Sequence, residues 1–185
     1  MSKILLIGDS SVGKTSLLLK YADNEFIEGM PLSSGLAQKN KSLIINNSII
    51  NLSIWDIAGT EQYKSMTQLF FKNGQGALLV YDKTNSETFN CLSFWLNELY
   101  LHIGSDKPVV IIANKIDKTE DFQVTTEQGQ DFANSNNCKF FEVSAKTGDG
   151  INEAFYSLAS QLNKNIRFSI ILDPDIVRSK KKYSC

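Results

Sequence analysis

The chain has 185 residues, a formal net charge of −1 and 42% hydrophobic residues, which is the composition of an ordinary globular protein. This length predicts one domain with a buried core, and the near-zero charge gives no electrostatic reason to expect a nucleic-acid partner. Three widely spaced cysteines, Cys91, Cys138 and Cys185, argue against a disulfide framework or a zinc site and favour a reducing compartment. No signal peptide is expected at the start, and no apolar run is long enough to span a membrane.

The first apolar run, Lys3–Ile7, is short and continuous, which predicts a strand buried on both faces. GDSSVGKT follows at Gly8–Thr15 and matches the phosphate-binding pattern G-x-x-x-x-G-K-[ST], before a predicted helix over Lys14–Ala22. The glycines Gly8 and Gly13 permit a tight turn that points backbone N–H groups at a β-phosphate. The N–H groups expected to do so belong to Ser11, Val12, Gly13, Lys14, Thr15 and Ser16.

Two side chains of this loop have predicted chemical roles. Lys14 is expected to reach the β- and γ-phosphates of a nucleotide. The Thr15 hydroxyl is expected to ligate Mg²⁺, because this ion prefers hard oxygen ligands. A glycine-rich turn with no ligand is the alternative, and the strand-to-helix context argues against it.

Two segments of β-type composition, Lys39–Ile45 and Ile49–Trp55, predict an antiparallel pair joined around Asn46-Asn47. The second segment runs into DIAG, where Asp56 could hold Mg²⁺ through a water molecule. Gly59 could donate its N–H to a γ-phosphate, since no side chain blocks the approach. The pattern D-x-x-G is weak when taken alone, because many turns carry it.

The remaining elements complete an alternation of strands and helices. Ala77–Tyr81 and Val109–Ala113 predict two more buried parallel strands, and Phe140–Val143 predicts a last short strand. Helices are predicted at Glu87–His102, Thr126–Ser135 and Ile151–Asn163. Apolar side chains of the first of these helices recur at helical spacing and are interpreted as core: Phe89, Leu92, Leu96, Leu99 and Ile103.

This alternation predicts the α/β class, with ligands at the carboxyl ends of the strands. Together with the phosphate motif it predicts a P-loop NTPase fold. The expected sheet is doubly wound and mostly parallel, with six strands, one antiparallel edge strand and helices on both faces.

Two further motifs follow strands and predict a guanine site. In NKID, the Asp117 carboxylate can accept hydrogen bonds from N1–H and the exocyclic amino group of guanine, a donor pair that adenine lacks. Asn114 can bond the base or tie this loop to the phosphate loop, and the aliphatic stem of Lys115 can cover the ring. In SAK, Ser144–Lys146, the Ala145 N–H could reach guanine O6. Lys146 completes this motif and is also expected to bind the nucleotide.

The four motifs together resemble those of the Ras-superfamily small GTPases, from Lys3 to about Asn163. NLSIW, QYKSM, FFKNG and LVYDKT resemble segments of the Rab branch in particular. The resemblance implies a GTPase domain over residues 1–165 that binds GTP or GDP with Mg²⁺, and a flexible tail over residues 166–185. It also implies a monomeric switch whose partners are GTP-state effectors, an exchange factor and a GTPase-activating protein.

The resemblance also assigns residues of the two switch segments. Phe26 stands where the family stacks an aromatic ring near the base, and Ser33 where it places a threonine that ligates Mg²⁺. Residues 34–38 read SGLAQ instead of the I-G-V-D-F usual in Rabs, which implies an unusual set of effectors. Trp55 and Phe70-Phe71 remain, and core packing and partner contact are equally good interpretations of these aromatics.

Thr60 stands where the family has the glutamine that orients the attacking water. Its single hydroxyl on a short stem cannot both accept from the water and donate to the phosphoryl group, so slow intrinsic hydrolysis is expected. Lys14 and Gly59 complete the predicted catalytic set, because electrostatic stabilisation by the loop survives this replacement. Two other functions stay open: a GTP-locked or nucleotide-insensitive scaffold with negligible hydrolysis, and a P-loop kinase or ATPase. Asp117 argues against the latter.

The end of the chain predicts a membrane-associated tail. Ile166–Val177 is expected to be irregular, and the last residue, Cys185, resembles the prenylated cysteine of Rabs. Arg178 and Lys180–Lys182 could supply a second, electrostatic signal on an anionic leaflet. A solvated tail with an incidental cysteine is the alternative. The lipid interpretation implies a cytosolic protein that cycles onto the cytoplasmic face of an intracellular membrane in vesicle traffic.

Overall fold

The structure, a computed structural model, describes residues 1–30, 37–57 and 69–172, with side chains up to Leu162. The strands are β1 (Ser2–Ile7), β2 (Ala37–Ile45), β3 (Ser48–Asp56), β4 (Gly76–Asp82), β5 (Val109–Asn114) and β6 (Lys139–Glu142). The helices are α1 (Lys14–Asp23), α2 (Ser86–Asn90), α3 (Leu92–Ile103), α4 (Thr126–Ser135) and α5 (Ile151–Leu172), with a 3₁₀ turn at Thr119–Asp121. Every predicted strand is present, with ends that differ by at most two residues from the expectation.

The six strands form one sheet in the order β2-β3-β1-β4-β5-β6, in which only the edge strand β2 is antiparallel to its neighbour. The α/β class and the predicted sheet are therefore confirmed. Every residue of β4 and β5 is buried, as expected for strands covered by helices on both faces. The chain winds in opposite directions on the two sides of β1, because β3 lies beside it on one side and β4 on the other. The crevice at the carboxyl end of β1 is therefore where this kind of sheet binds ligands.

Helices cover both faces of the sheet. On one face, α1 and α5 pack through Leu17, Tyr21 and Phe155, and the rings of Tyr21 and Phe155 stack at 3.7 Å. On the other face, α3 and α4 pack against β1, β4 and β5. The predicted apolar stripe of α3 belongs to this second layer, where Leu92, Leu96 and Leu99 are fully buried. The stripe is therefore core, as interpreted from its spacing.

The hairpin between β2 and β3 turns at the predicted dipeptide. Asn46 and Asn47 have φ angles of 49° and 60°, and Ile45 pairs with Ser48 across the turn. Two consecutive positive φ values define the hairpin turn that matches the twist of the strands, and asparagine tolerates this conformation. The turn fixes the register that places Ala37 opposite Asp56 at the other end of the pair.

Two helix predictions need correction. The segment predicted as one helix over Glu87–His102 is divided into α2 and α3 at Cys91. The ψ angle of Cys91 is −8°, which departs from the helical value. The last helix runs to Leu172, so the expectation of irregular structure from Ile166 is wrong for residues 166–172. The reason is that Leu158, Leu162, Ile166 and Ile170 continue a four-residue apolar spacing. Residues 173–177 lie outside the described part of the chain.

Within the described ranges, no helix combines the length and the apolar character that a membrane crossing requires.

Candidate functional site

The predicted phosphate loop connects β1 to α1 at the crevice beside β4. Gly8 and Gly13 have φ angles of 135° and 95°. A Cβ atom at Gly8 would overlap the Val80 carbonyl oxygen, and one at Gly13 would overlap the Asn114 amide nitrogen. Both positions therefore require glycine. Ser11 also takes a positive φ, 64°, a feature that the pattern of glycines did not predict.

The ammonium group of Lys14 lies inside this loop. It donates hydrogen bonds to the carbonyl oxygens of Gly8 at 2.9 Å and Asp9 at 2.6 Å, and only 5% of the residue is exposed. Burial lowers the pKa of Lys14 to about 8, although the charges of Asp56 and Asp9 oppose this shift. The loop thus curves around its own cation, in the place where the sequence predicts phosphate binding.

The phosphate loop is also held by a contact that the sequence did not predict. Trp95, on α3, donates its indole N–H to the Asp9 carboxylate at 2.6 Å. The two residues are 86 positions apart, so no local pattern could reveal the pair. Asp9 is therefore held through both its backbone carbonyl and its side chain.

Nucleotide affinity is expected to fall as pH rises above about 8, because a bound phosphate would raise the pKa of Lys14. Below that pH the ammonium is charged in free and bound protein alike, and binding takes up no proton. Above it binding must take up a proton, so affinity should drop by up to about tenfold per pH unit. Titration with GDP from about pH 6.5 to about pH 9.5 measures this affinity, which should begin to fall near pH 8. An affinity that does not change with pH over this range would contradict the prediction. A Lys20→Met control, farther along α1, should keep the wild-type profile.

The predicted metal ligands Thr15 and Asp56 are in direct contact. The Thr15 hydroxyl donates to Asp56 Oδ2 at 2.5 Å, and Asp56 is fully buried. Asp56 Oδ1 has no hydrogen-bond partner among the residues that the structure describes. Burial raises the pKa of this carboxyl group, while the bond from Thr15 and the charge of Lys14 lower it. A buried carboxylate oxygen without a partner, beside a hydroxyl and a phosphate loop, fits a hard divalent cation such as Mg²⁺.

The other predicted phosphate, metal and catalytic residues lie outside the described residues. These are Ser33, Gly59 and Thr60. The predicted lipidation residue Cys185 and the basic residues before it also lie there. Their roles stay predictions from the sequence.

Asn114, at the end of β5, joins the phosphate loop to the predicted base site. Its amide nitrogen donates to the Val12 carbonyl at 2.8 Å, and its amide oxygen accepts from the Ala145 N–H at 3.1 Å. Only 1% of Asn114 is exposed. Asn114 was predicted either to bond the base or to tie the two loops together, and these hydrogen bonds tie the loops together. The Ala145 N–H, predicted to reach the base, already has Asn114 as a partner.

Asp117 and Ser144 join the two predicted guanine motifs. The Ser144 hydroxyl donates to Asp117 Oδ1 at 2.6 Å and accepts from the N–H groups of Lys146 and Thr147. Lys115 adopts a φ of 69°, and its ammonium forms an ion pair with Asp82 at 2.6 Å. Asp82, the last residue of β4, was not predicted as part of the site.

A cavity of about 290 Å³ lies between these motifs. Six predicted base-site residues line it: Phe26, Asn114, Lys115, Asp117, Ala145 and Lys146. Ser11 and Ser16 of the phosphate loop line the same cavity, so the phosphate and base sites are continuous. Residues 27–30 also contribute, and Glu28 pairs with Lys146 at 3.8 Å. The sequence did not single out residues 27–30.

The aromatic residues on the predicted partner face divide between two environments. Phe71 is fully buried, so core packing is the correct interpretation for it. Trp55 and Phe70 are half-buried, and the Trp55 indole donates to the Ser53 hydroxyl at 2.8 Å. Of the divergent residues 34–38, the structure describes Ala37 and Gln38 at the start of β2.

A parallel sheet whose first strand runs through this loop into a helix is the architecture of the P-loop nucleotide-binding proteins. The profile of the Ras family matches residues 3–164, and the chain belongs to this family. It is 39% identical to Ras-related protein RabG2 of Dictyostelium discoideum over 163 residues, which cover 88% of this chain and 83% of that protein. It is 35% identical to Ras-related protein Rab-3B of Homo sapiens over 181 residues, covering 98% and 83%. The predicted resemblance to Rab-like small GTPases, which are GTP-binding switch proteins, is thereby confirmed.

Proposed function

We propose that the protein is a guanine-nucleotide-dependent switch that binds GTP or GDP with Mg²⁺, hydrolyses GTP slowly and regulates membrane traffic through effectors. The observation that carries this proposal is the hydrogen bonding of Asn114, which couples the phosphate loop to the loop of Ala145. Asp117 lines the cavity between these loops. A carboxylate there favours guanine, because the wrong base would leave a charge unpaired.

The phosphate half of the site supplies positive charge and hydrogen-bond donors. Lys14 and the N–H groups of residues 11–16 would bind the β- and γ-phosphates, aided by the dipole of α1. Thr15, Asp56 and Ser33 would hold Mg²⁺, which neutralises charge on the phosphate oxygens. In switches of this kind, contacts to the γ-phosphate order loops that effectors recognise.

Slow hydrolysis follows from Thr60. Lys14 and the Gly59 N–H can stabilise charge on the transferring phosphoryl group, which is the larger part of catalysis in this reaction class. A threonine lacks the reach and the second polar group with which an amide orients the attacking water. Stimulated turnover remains compatible with this site if a GTPase-activating protein supplies the missing group.

Replacing Thr60 with glutamine is expected to accelerate single-turnover hydrolysis of bound GTP by about tenfold or more, because a positioned water-orienting group contributes at least that factor. The rate is measured on protein preloaded with GTP, by quantifying GDP and phosphate over time. Thr60→Asn is the matched control: it has the same amide on a stem one methylene shorter, and should give a smaller gain. A Thr60→Gln rate equal to wild type would contradict the assigned role.

The alternative function is a GTP-locked or nucleotide-insensitive scaffold. It is favoured by Thr60 and by the divergent segment 34–38. The two functions differ in the fate of bound nucleotide. A slow switch converts its GTP to GDP and binds effectors only in one state, whereas a scaffold retains GTP for hours or binds partners in either state. Nucleotide analysis of purified protein with a GTP-versus-GDP pull-down separates them.

We also propose that the tail anchors a monomeric protein to the cytoplasmic face of an intracellular membrane. Cys185 is the proposed prenylation site, and Arg178 with Lys180–Lys182 is the electrostatic partner of the lipid. One chain alone binds membranes marginally, so both signals are needed. Mass spectrometry of membrane-bound protein from its native cell is expected to find Cys185 modified. An unmodified Cys185 in that fraction would reject the anchor.

A further inference from the structure

The end of β4 carries two adjacent buried charges, Asp82 and Lys83. Asp82 pairs with Lys115 of the NKID motif. Lys83, of which only 4% is exposed, is not a member of the nucleotide motifs and lines neither the phosphate loop nor the 290 Å³ cavity. A buried lysine outside the site requires a physical reason, because removing its charge from water is costly unless the ammonium is well paired.

The Lys83 ammonium is held by three groups, one each from β6, α4 and the loop that precedes α4. It forms an ion pair with the Glu142 carboxylate, donates to the Thr126 hydroxyl at 2.9 Å and lies 4.3 Å from the centre of the Phe122 ring. The Thr126 hydroxyl in turn donates to Glu142 Oε1 at 2.7 Å. The network closes on itself, so the ammonium joins the start of α4 to the end of β6.

The backbone of Lys83 makes a second set of links. Its N–H donates to the Asn114 carbonyl at 3.0 Å, and its carbonyl accepts from the N–H groups of Gln123 and Val124. Asn114 is the first residue of NKID, and Gln123 and Val124 precede α4. One residue therefore connects the carboxyl ends of β4, β5 and β6.

These links lead to the group that selects the base. Glu142 is the last residue of β6, and Ser144 follows two positions later. Ser144 donates to the Asp117 carboxylate at 2.6 Å, which sets the direction of that side chain. An ammonium that fixes Glu142 also fixes the start of the loop that orients Asp117.

We propose that Lys83 is a positioning residue for guanine recognition, which acts through Glu142 and Ser144 on Asp117. This inference rests on the proposed guanine-nucleotide binding. A side chain that positions Asp117 should affect the distinction between bases more than the hold on phosphates. Loss of the ammonium should therefore weaken selectivity for guanine over hypoxanthine, which lacks the exocyclic amino group.

The test compares the dissociation rates of GDP and IDP from wild type and Lys83→Met, which keeps most of the unbranched side chain and removes the ammonium group. GDP release is expected to accelerate about tenfold, while IDP release accelerates much less, so the ratio of the two rates shrinks. Lys107→Met is the control, since it breaks the Lys107–Asp106 pair at the opposite end of β5 and should leave both rates unchanged. Equal acceleration of both releases would assign Lys83 a purely structural role and overturn the proposal.

A milder variant keeps the test decisive if Lys83→Met does not fold. Thr126→Val removes one hydroxyl from the network at an exposed position, and should change the GDP-to-IDP ratio in the same direction by a smaller factor. An unchanged ratio in Thr126→Val, with normal folding, would also overturn the proposal. Failure of wild-type protein to bind GDP would instead reject guanine-nucleotide binding itself, so the two failures are distinguishable.

Discussion

Replacing Asp117 with alanine is expected to lower the affinity for GDP by roughly 10²- to 10⁴-fold, the largest binding effect of any single substitution considered. The carboxylate would accept two hydrogen bonds from guanine, and a bond to a charged group is worth about 1.5–3 kcal/mol. Two such bonds sum to roughly 3–6 kcal/mol, and each 1.4 kcal/mol corresponds to a factor of ten in affinity.

Equilibrium titration of nucleotide-free protein with fluorescent GDP measures this loss. Asp121→Ala is the matched control, because it removes an exposed carboxylate four residues along the same segment and should bind GDP normally. Asp117→Ala should also lose its preference for guanine over adenine nucleotides. Wild-type affinity in Asp117→Ala would mean that the base is read elsewhere.

Replacing Asn114 with alanine is expected to destabilise the folded protein by roughly 2–4 kcal/mol, since the buried Val12 carbonyl and Ala145 N–H would each lose their partner. For a chain of this size that corresponds to a melting temperature lower by about 5–15 °C. Nucleotide release should also accelerate, because Asn114 couples the phosphate loop to the base site.

Thermal unfolding with and without GDP, followed by circular dichroism, tests this expectation. Asn134→Ala provides the comparison, since the side chain of this exposed asparagine on α4 accepts a hydrogen bond from Gln130, at the protein surface, and its removal should change stability by less than about 0.5 kcal/mol. A melting temperature of Asn114→Ala within a degree or two of wild type would show that the bridge contributes little.

The strands were predictable because burial on both faces leaves a short continuous apolar run. The runs in β1, β4 and β5 have no other simple interpretation at that length. The convergence of the candidate site residues was predictable for a related reason: parallel strands present their carboxyl ends at one edge, so motifs at strand ends must converge. Lys14, Asn114 and Asp117 are spread over a hundred residues of chain and still meet there.

The contacts that support the site could not be predicted. Trp95 with Asp9 and Lys83 with Glu142 are long-range pairs, and each side chain alone is compatible with many environments. The end of the last helix was missed for a different reason. Its continuation to Leu172 follows from a weak four-residue spacing that no cap residue marks.

Competition between nucleotides shows whether this site binds guanine nucleotides. Protein loaded with fluorescent GDP in Mg²⁺ is challenged with excess unlabelled GDP, GTP or ATP, and the displaced label is measured at equilibrium. GDP and GTP are expected to displace the label with similar potency, whereas ATP is not, because adenine cannot donate the hydrogen-bond pair that Asp117 accepts. Displacement by ATP at concentrations comparable to GTP would contradict guanine-specific binding at this site.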